Sequence, residues 1–299
     1  FRRASALGKK FGLNVYDADG ELIESEAVRR KGLTQNNYGA LYNVSYHDDA
    51  WDVMGGLSAQ MFRCNHWGYL TYIANEEVER QYLTDGGKYK YYDSDADKND
   101  YSWFVKAAYN FGSGWNAFAD MQMRIVDYTT DGVNDKFIKG KKDGRKFYTQ
   151  QQLNIDETYV FYNPKAGISY TRGGHKAYAS VAYANREPER NNFTDNSSAA
   201  LPKAERLFDT ELGYQYRTAN WYASANLYYM RYINQFVMTG AKSDIGEAIT
   251  SNIKNSYRLG AELSAGWSPL QWLSLEGNAA LSQNKLKNFT EEVEAWDTE

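Results

Sequence analysis

The sequence predicts an all-β chain, a segment of about ten strands from an antiparallel transmembrane β-barrel, and three observations carry that prediction. First, residues 101–125 read as one long amphipathic hairpin. Tyr101, Trp103, Val105, Ala107, Tyr109 and Phe111 share one face, and beyond Gly112-Ser113-Gly114 that face resumes with Trp115, Ala117, Ala119, Met121, Met123 and Ile125. Each arm holds about 11 residues, whereas soluble strands mostly run about 5–6 and a tilted bilayer-spanning strand needs about 9–11. Second, aromatic residues sit at the ends of the apolar face, where rings with a polar tip suit a lipid–water boundary. Third, the chain has 26 Tyr and 8 Trp but only 4 Pro, and no apolar run approaches a helical span.

The strands follow in pairs. The first joins 38–46 to 51–62 through Asp48-Asp49, and the second is the hairpin above. The third joins 158–170 to 176–186 through Arg172-Gly173-Gly174, with Tyr162 and Tyr170 bracketing Pro164, Ala166 and Ile168. The fourth joins 207–217 to 221–231 through Thr218-Ala219-Asn220, with Trp221 and Tyr229 bracketing Ala223, Ala225 and Leu227. The fifth joins 257–267 to 271–284 through Ser268-Pro269-Leu270. Tyr257 and Trp267 bracket its first arm, and Leu273, Leu275, Ala279 and Leu281 form its second. The connections 63–100, 127–157, 187–206 and 232–256 are long and polar. Short turns on the periplasmic side and long loops outside are the asymmetry of outer-membrane barrels, whereas such loops count against a compact soluble domain. The chain is expected to begin in one outer loop, 1–37, and to stop in another, so the ten strands are internal, with at least one strand missing at each end.

The opposite face is charged: Lys106, Asp120, Arg124, Arg186, Asp209 and Glu211 lie on it, followed by Arg258, Glu262 and Glu276. Such a face needs water or a polar plug, because unpaired charges are costly in an apolar core. A soluble sheet with one solvated face is the alternative, and strand length opposes it. Mean hydropathy of −0.71 suits a soluble protein, yet only alternate barrel residues meet lipid. A net charge of −4 without a dense basic patch argues against nucleic acid as a partner. Cys64 stands alone and forms no internal disulfide, and Phe1-Arg2-Arg3 lacks the apolar core of a leader.

Candidate sites are few. Asp93, Asp95 and Asp97, with Asn99 and Asp100, resemble the start of a calcium loop, but Lys98 and Phe104 stand where that loop needs Gly and Glu. A Ca2+ ion in an outer loop and a merely solvated acidic loop both remain open. Cys64 and His66 lack the further ligands of a zinc site. Arg186, Glu187, Arg190 and Asn191, at the outer end of a lumen-facing strand, are candidate solute contacts, or braces for loops or a plug. No nucleophile elbow or phosphate loop is present, so no enzyme is expected. Glu211, Glu262 and Glu276 read as lumen lining more simply than as glycosidase carboxylates.

Three stretches carry a family resemblance. They are Asn163-Pro164-Lys165-Ala166-Gly167-Ile168-Ser169-Tyr170, then residues 178–188 ending Asn185-Arg186-Glu187-Pro188, then Pro202-Lys203-Ala204-Glu205-Arg206-Leu207 with Glu211-Leu212-Gly213-Tyr214. In order and spacing they resemble the barrel of TonB-dependent outer-membrane transporters. Residues 257–263 and 273–278 resemble the closing strands, and the tyrosine-rich loops are similar to Bacteroidetes members. The resemblance implies that residues 1–299 are a partial receptor barrel, about strands 12 to 21 of 22, with plug and terminal strand absent. It further implies a bacterial outer-membrane location, a lipid bilayer around the strands, TonB as partner through the missing plug, and uptake of a scarce solute. A ferric siderophore, haem or cobalamin fits, as small molecule or metal chelate; a passive porin is the alternative.

Overall fold

The computed structural model describes residues 4–195, 201–242 and 248–289. It opens with β1 (Ser5–Ala6), α1 (Leu7–Phe11) and β2 (Glu24–Ser25), where β1 and β2 pair as a small sheet. Then come β3 (Ala27–His47), β4 (Trp51–Ile73), α2 (Glu76–Tyr82), β5 (Tyr89–Gly112), β6 (Trp115–Lys142), β7 (Arg145–Arg172) and β8 (His175–Arg186). After α3 (Arg190–Thr194) the chain ends in β9 (Glu205–Arg217), β10 (Trp221–Lys242), β11 (Ala248–Leu270) and β12 (Leu273–Lys287). Strands β3 to β12 form one ten-stranded sheet in chain order, as the five hairpins required.

Register settles the two faces, because a slip of one residue would exchange them. Ile168, Ala179, Leu212, Leu227, Ala261 and Leu281 pair in one row across β7 to β12. The adjacent row on the opposite face is Ser169, Tyr178, Gly213, Asn226, Glu262 and Ala280. The apolar row is uncovered: Leu212 is 52%, Leu227 51% and Leu281 69% exposed. An apolar face this continuous belongs against lipid.

Turn chemistry ends the strands where expected, with one shift. Asp48 Oδ1 accepts from the backbone N–H of Ala50 (2.8 Å) and Trp51 (2.7 Å), closing β3 onto β4. Gly173 and Gly174 take φ of 56° and 82°, the left-handed pair that a two-residue hairpin demands. Successive turns bond to each other, with Thr171 N–H to Gly114 O and Ser268 N–H to Asn220 O. The last turn lies at Gln271-Trp272 rather than 268–270, and the register shifts between Trp267 and Leu270. That irregularity falls at Pro269, which has no N–H to give either neighbour.

The larger difference is strand length. Connections expected as loops at 63–100 and 127–157 are mostly strand, since β4 runs to Ile73, β5 starts at Tyr89, and Asp143-Gly144 joins β6 to β7. The chain falls into two compact units, and β3 to β7 contribute residues to both. One unit comprises Phe1–Ala40, Ala59–Asp100 and Val126–Thr158. Its core gathers Leu7, Phe11 and Leu13 with Leu70, Ile73, Val78, Tyr91 and Tyr92. Here α1 and its flanks supply an apolar cover, so the strands no longer alternate as lipid-facing strands do. Asn14 completes the cover by side-chain mimicry of a β-bridge. Its Nδ2 donates to Tyr148 O at 2.9 Å and its Oδ1 accepts from Tyr148 N–H at 2.8 Å, occupying polar backbone groups of β7.

The other unit comprises Leu41–Ser58, Tyr101–Ile125 and Tyr159–Glu299. Aromatic rings on its polar face lie over glycines of adjacent strands. Tyr178 covers Gly213, Tyr228 covers Gly260, Tyr222 covers Gly266 and Phe118 covers Gly167, and a Cβ at any of these glycines would collide with the ring. These rings on the polar face are thereby packed against the sheet.

Candidate functional site

The four residues proposed from sequence for the mouth lie where β8 gives way to α3, and they have unlike surroundings. Pro188 ends the strand, and Asn192 Oδ1 accepts from Glu189 N–H at 2.7 Å, closing the first turn of α3. Asn192 Nδ2 in turn donates to Thr250 Oγ1 at 2.6 Å, which ties α3 to β11. Glu187 is 8% exposed. Its carboxylate takes both arms of the Arg124 guanidinium at 2.8 Å each, a bidentate bridge between residues 63 apart in sequence. A pair so engaged fixes the strand-to-helix junction more than it offers charge to a solute.

Arg186 is different. Its Nη2 stands 3.4 Å from Glu205 Oε2, its guanidinium lies 5.5 Å from the Phe236 ring centroid, and its side chain is 53% exposed. Glu205 Oε2 also accepts from Phe236 N–H at 2.8 Å, so the carboxylate is held from two sides. Arg190 is half-buried and its carbonyl accepts from Thr194 Oγ1 at 3.2 Å, while Asn191 is exposed. Arg186 and Asn191 thus present polar groups outward, and Glu187 with Asn192 locks the scaffold beneath them. Behind lie Gln235 and Ser256, both buried and bonded at 2.5 Å, and Arg258, 5.2 Å from the Tyr232 ring centroid. Sequence reading placed Arg124 on the charged face but could not find its partner. Glu205, Phe236 and Tyr232 gave no local signal, because they meet Arg186 and Arg258 only once register is fixed.

The acidic run lies within β5, not in a loop. Asn65 Nδ2 donates to Asp93 Oδ1 at 2.7 Å and to Asp95 Oδ1 at 2.9 Å. Lys90 Nζ reaches Asp93 Oδ2 at 2.7 Å, and Arg63 Nε stands 3.6 Å from Asp97 Oδ1. Partial burial pushes the Asp93 carboxyl up, but the bonds from Lys90 and Asn65 outweigh it and hold that carboxyl below its ordinary value. These carboxylates are spread along a strand with cation and amide partners. Among the described residues no three His, Cys, Asp or Glu side chains converge as a metal set. Tyr178 Oη donates to Asn226 Oδ1 at 2.9 Å across Gly213, showing that the polar face also braces itself.

Comparison with known proteins bears on the whole sheet. No curated protein sequence shows significant similarity to the chain. Among solved structures, the copper transporter OprC superposes with a TM-score of 0.66 at 14% identity, covering 86% of this chain and 39% of that one. The ferric yersiniabactin uptake receptor FyuA from Yersinia pestis gives 0.56 at 15% identity, covering 89% and 38%. The FrpB iron transporter from Neisseria meningitidis (F3-3 variant) gives 0.56 at 15%, covering 85% and 36%. At these identities the likeness is one of fold, and the chain spans about two fifths of each structure. The family model described as TonB dependent receptor-like, beta-barrel matches residues 5–297. The chain therefore belongs to the TonB-dependent receptor β-barrel family, whose members reside in the bacterial outer membrane.

Proposed function

We propose that the chain is barrel wall and outer rim of a transporter that takes a scarce solute across the outer membrane, driven by TonB through a plug. The observation that carries this reading is the family match over residues 5–297. The family is one of transporters and receptors, not a class of enzymes. The sheet fits the role, with one face apolar and uncovered and the other charged and internally braced. The solute is a ferric siderophore, haem or cobalamin, small enough to be held by a few polar groups converging at the mouth. Arg186, Arg190 and Asn191 supply such groups, while Glu187 positions α3. Arg186, still half-exposed above Phe236, is the first contact for an anionic chelate.

The test is growth and radiolabelled uptake by cells that depend on this protein, supplied with each nutrient in turn. One of them should be taken up in a way that collapses when TonB is absent or the proton gradient is discharged. Arg186→Glu should raise half-saturation about tenfold with the protein still at normal surface level, a loss of about 1.4 kcal/mol. Uptake indifferent to TonB and unsaturable with concentration would establish the porin reading instead.

A further inference from the structure

On the apolar face, one paired row runs Arg172, His175, Tyr216, Ala223, Ala265 and Gly277 across β7 to β12. The next row toward the strand middles runs Tyr170, Ala177, Tyr214, Ala225, Leu263 and Ala279. From β10 to β12 these rows hold small side chains, with Leu263 the exception. On β9 they hold two tyrosines, and Trp221 pairs with Trp267 just below. The outcome is a groove of about 790 Å3 on the face that meets lipid, with an alanine and glycine floor and a wall of Tyr214, Tyr216 and Trp221. The wall residues contact one another. His175 lies tilted against Tyr216 at 4.5 Å between ring centroids, its Nδ1 is 2.7 Å from the Tyr214 hydroxyl, and Tyr216 meets Trp221 at 5.3 Å.

Charge marks which end of a ligand belongs where. On the groove's own face the turn residues include Arg172 and His175, whereas Lys176, Arg217, Glu262 and Glu276 alternate onto the opposite face. By contrast the first turn carries Asp48, Asp49 and Asp52. Arg172 and His175 are exposed on the apolar face in the row of Tyr216, His175 one strand and Arg172 two strands from it. Strands lie about 4.8 Å apart, so His175 stands about 10 Å from the groove floor on β10. One lipid can span that separation with its phosphate at the turn and a chain in the groove.

We propose that this groove and its basic rim hold an anionic phospholipid of the periplasmic leaflet, the phosphodiester beside Arg172 and His175 and one acyl chain over Ala223, Ala225 and Ala265. Apolar filling alone would accept any lipid; the Arg172 guanidinium with His175 on the same face selects the anionic one. The intact outer-membrane protein, purified in mild detergent, is probed by native mass spectrometry with phosphatidylglycerol or phosphatidylcholine of equal chain length. Wild type should retain one phosphatidylglycerol at least tenfold more strongly than phosphatidylcholine. Arg172→Gln with His175→Gln should remove that preference, and Ala225→Phe with Ala265→Phe should remove retention of both lipids. Ala223→Leu, a smaller filling, should weaken retention severalfold, and heat-modifiable gel migration shows that each variant is folded. The proposal fails if wild type holds neither lipid beyond the detergent background, or if filled variants retain lipid normally. It fails equally if the groove proves to be the contact of a dimer that excludes lipid.

Discussion

At the scale of the residue, the Arg124–Glu187 bridge is the feature whose removal should matter most. Both 2.8 Å bonds lie where the side chains are 24% and 10% exposed, so cutting one partner removes two charge-assisted bonds from a poorly solvated place. Arg124→Ala or Glu187→Ala should destabilise the folded protein by about 3 kcal/mol, the lower end for a buried pair because Arg124 keeps some contact with water. The double variant Arg124→Met with Glu187→Leu should recover most of that, which thermal unfolding in detergent would reveal. Uptake should fall with Glu187→Ala through loosening of α3, and the same double variant should restore much of it. Of the site, the sequence showed where charge accumulates but not how it is spent. Arg186 and Glu187 are adjacent in sequence and share a candidate role, yet one is half-exposed and the other buried in a bridge. Nothing local separates them. The distinction depends on Arg124, on a strand that only tertiary register brings near.

At the scale of the element, two devices deserve test. The first is the polar ladder of β4 and β5. Asp93 is held below its ordinary carboxyl value, so in the folded chain it stays ionised to lower pH than when unfolded. Its contribution to stability is therefore complete above pH of about 4 and is lost as pH falls through the depressed folded value. Hydrogen exchange in residues 63–73 and 89–97, corrected for intrinsic rate, should accelerate on acidification to about pH 3. Asp93→Asn should flatten that dependence, and an unchanged profile would remove Asp93 as its cause. The second device is the ring over glycine. Gly213→Val should force Tyr178 off its seat and break its bond to Asn226, costing about 1–3 kcal/mol in thermal unfolding. Tyr178→Ala in the same chain should relieve part of the loss, since the collision partner is gone. Hairpins were legible in sequence because lipid imposes strict alternation and because Asp48, Gly173 and Thr218 write turns locally. The long extensions of β4 to β7 were not. There the consecutive Tyr91 and Tyr92 are both buried in one core cluster, and Gly132 takes φ of 109°, so period-two patterning fails.

At the scale of the whole molecule, the two ends of the strands differ in what they carry, and that asymmetry fixes an orientation. The turns at residues 48–50, 112–114, 173–174 and 218–220 are short and join strands directly beside an aromatic row: Trp51, Trp115, Tyr216 and Trp221. Among the described residues the opposite ends lead into α2, α3 and the β6–β7 extension to Asp143-Gly144. From Val126 to Lys142 the extension contains 17 residues, a contour of about 55 Å, too much polar strand to lie in a hydrocarbon layer about 30 Å thick. In the outer membrane the short turns must then face the periplasm and the extension the exterior. Cysteine placement tests this in whole cells. With the native thiol removed by Cys64→Ser, Asp143→Cys should react with a membrane-impermeant maleimide on intact cells. Ala219→Cys should react only after the outer membrane is opened. Equal labelling of both positions, or the reverse order, would refute the orientation. It would also move Arg186 and α3 from the outer mouth to the wrong side of the membrane, and the uptake reading would lose its capture site with them.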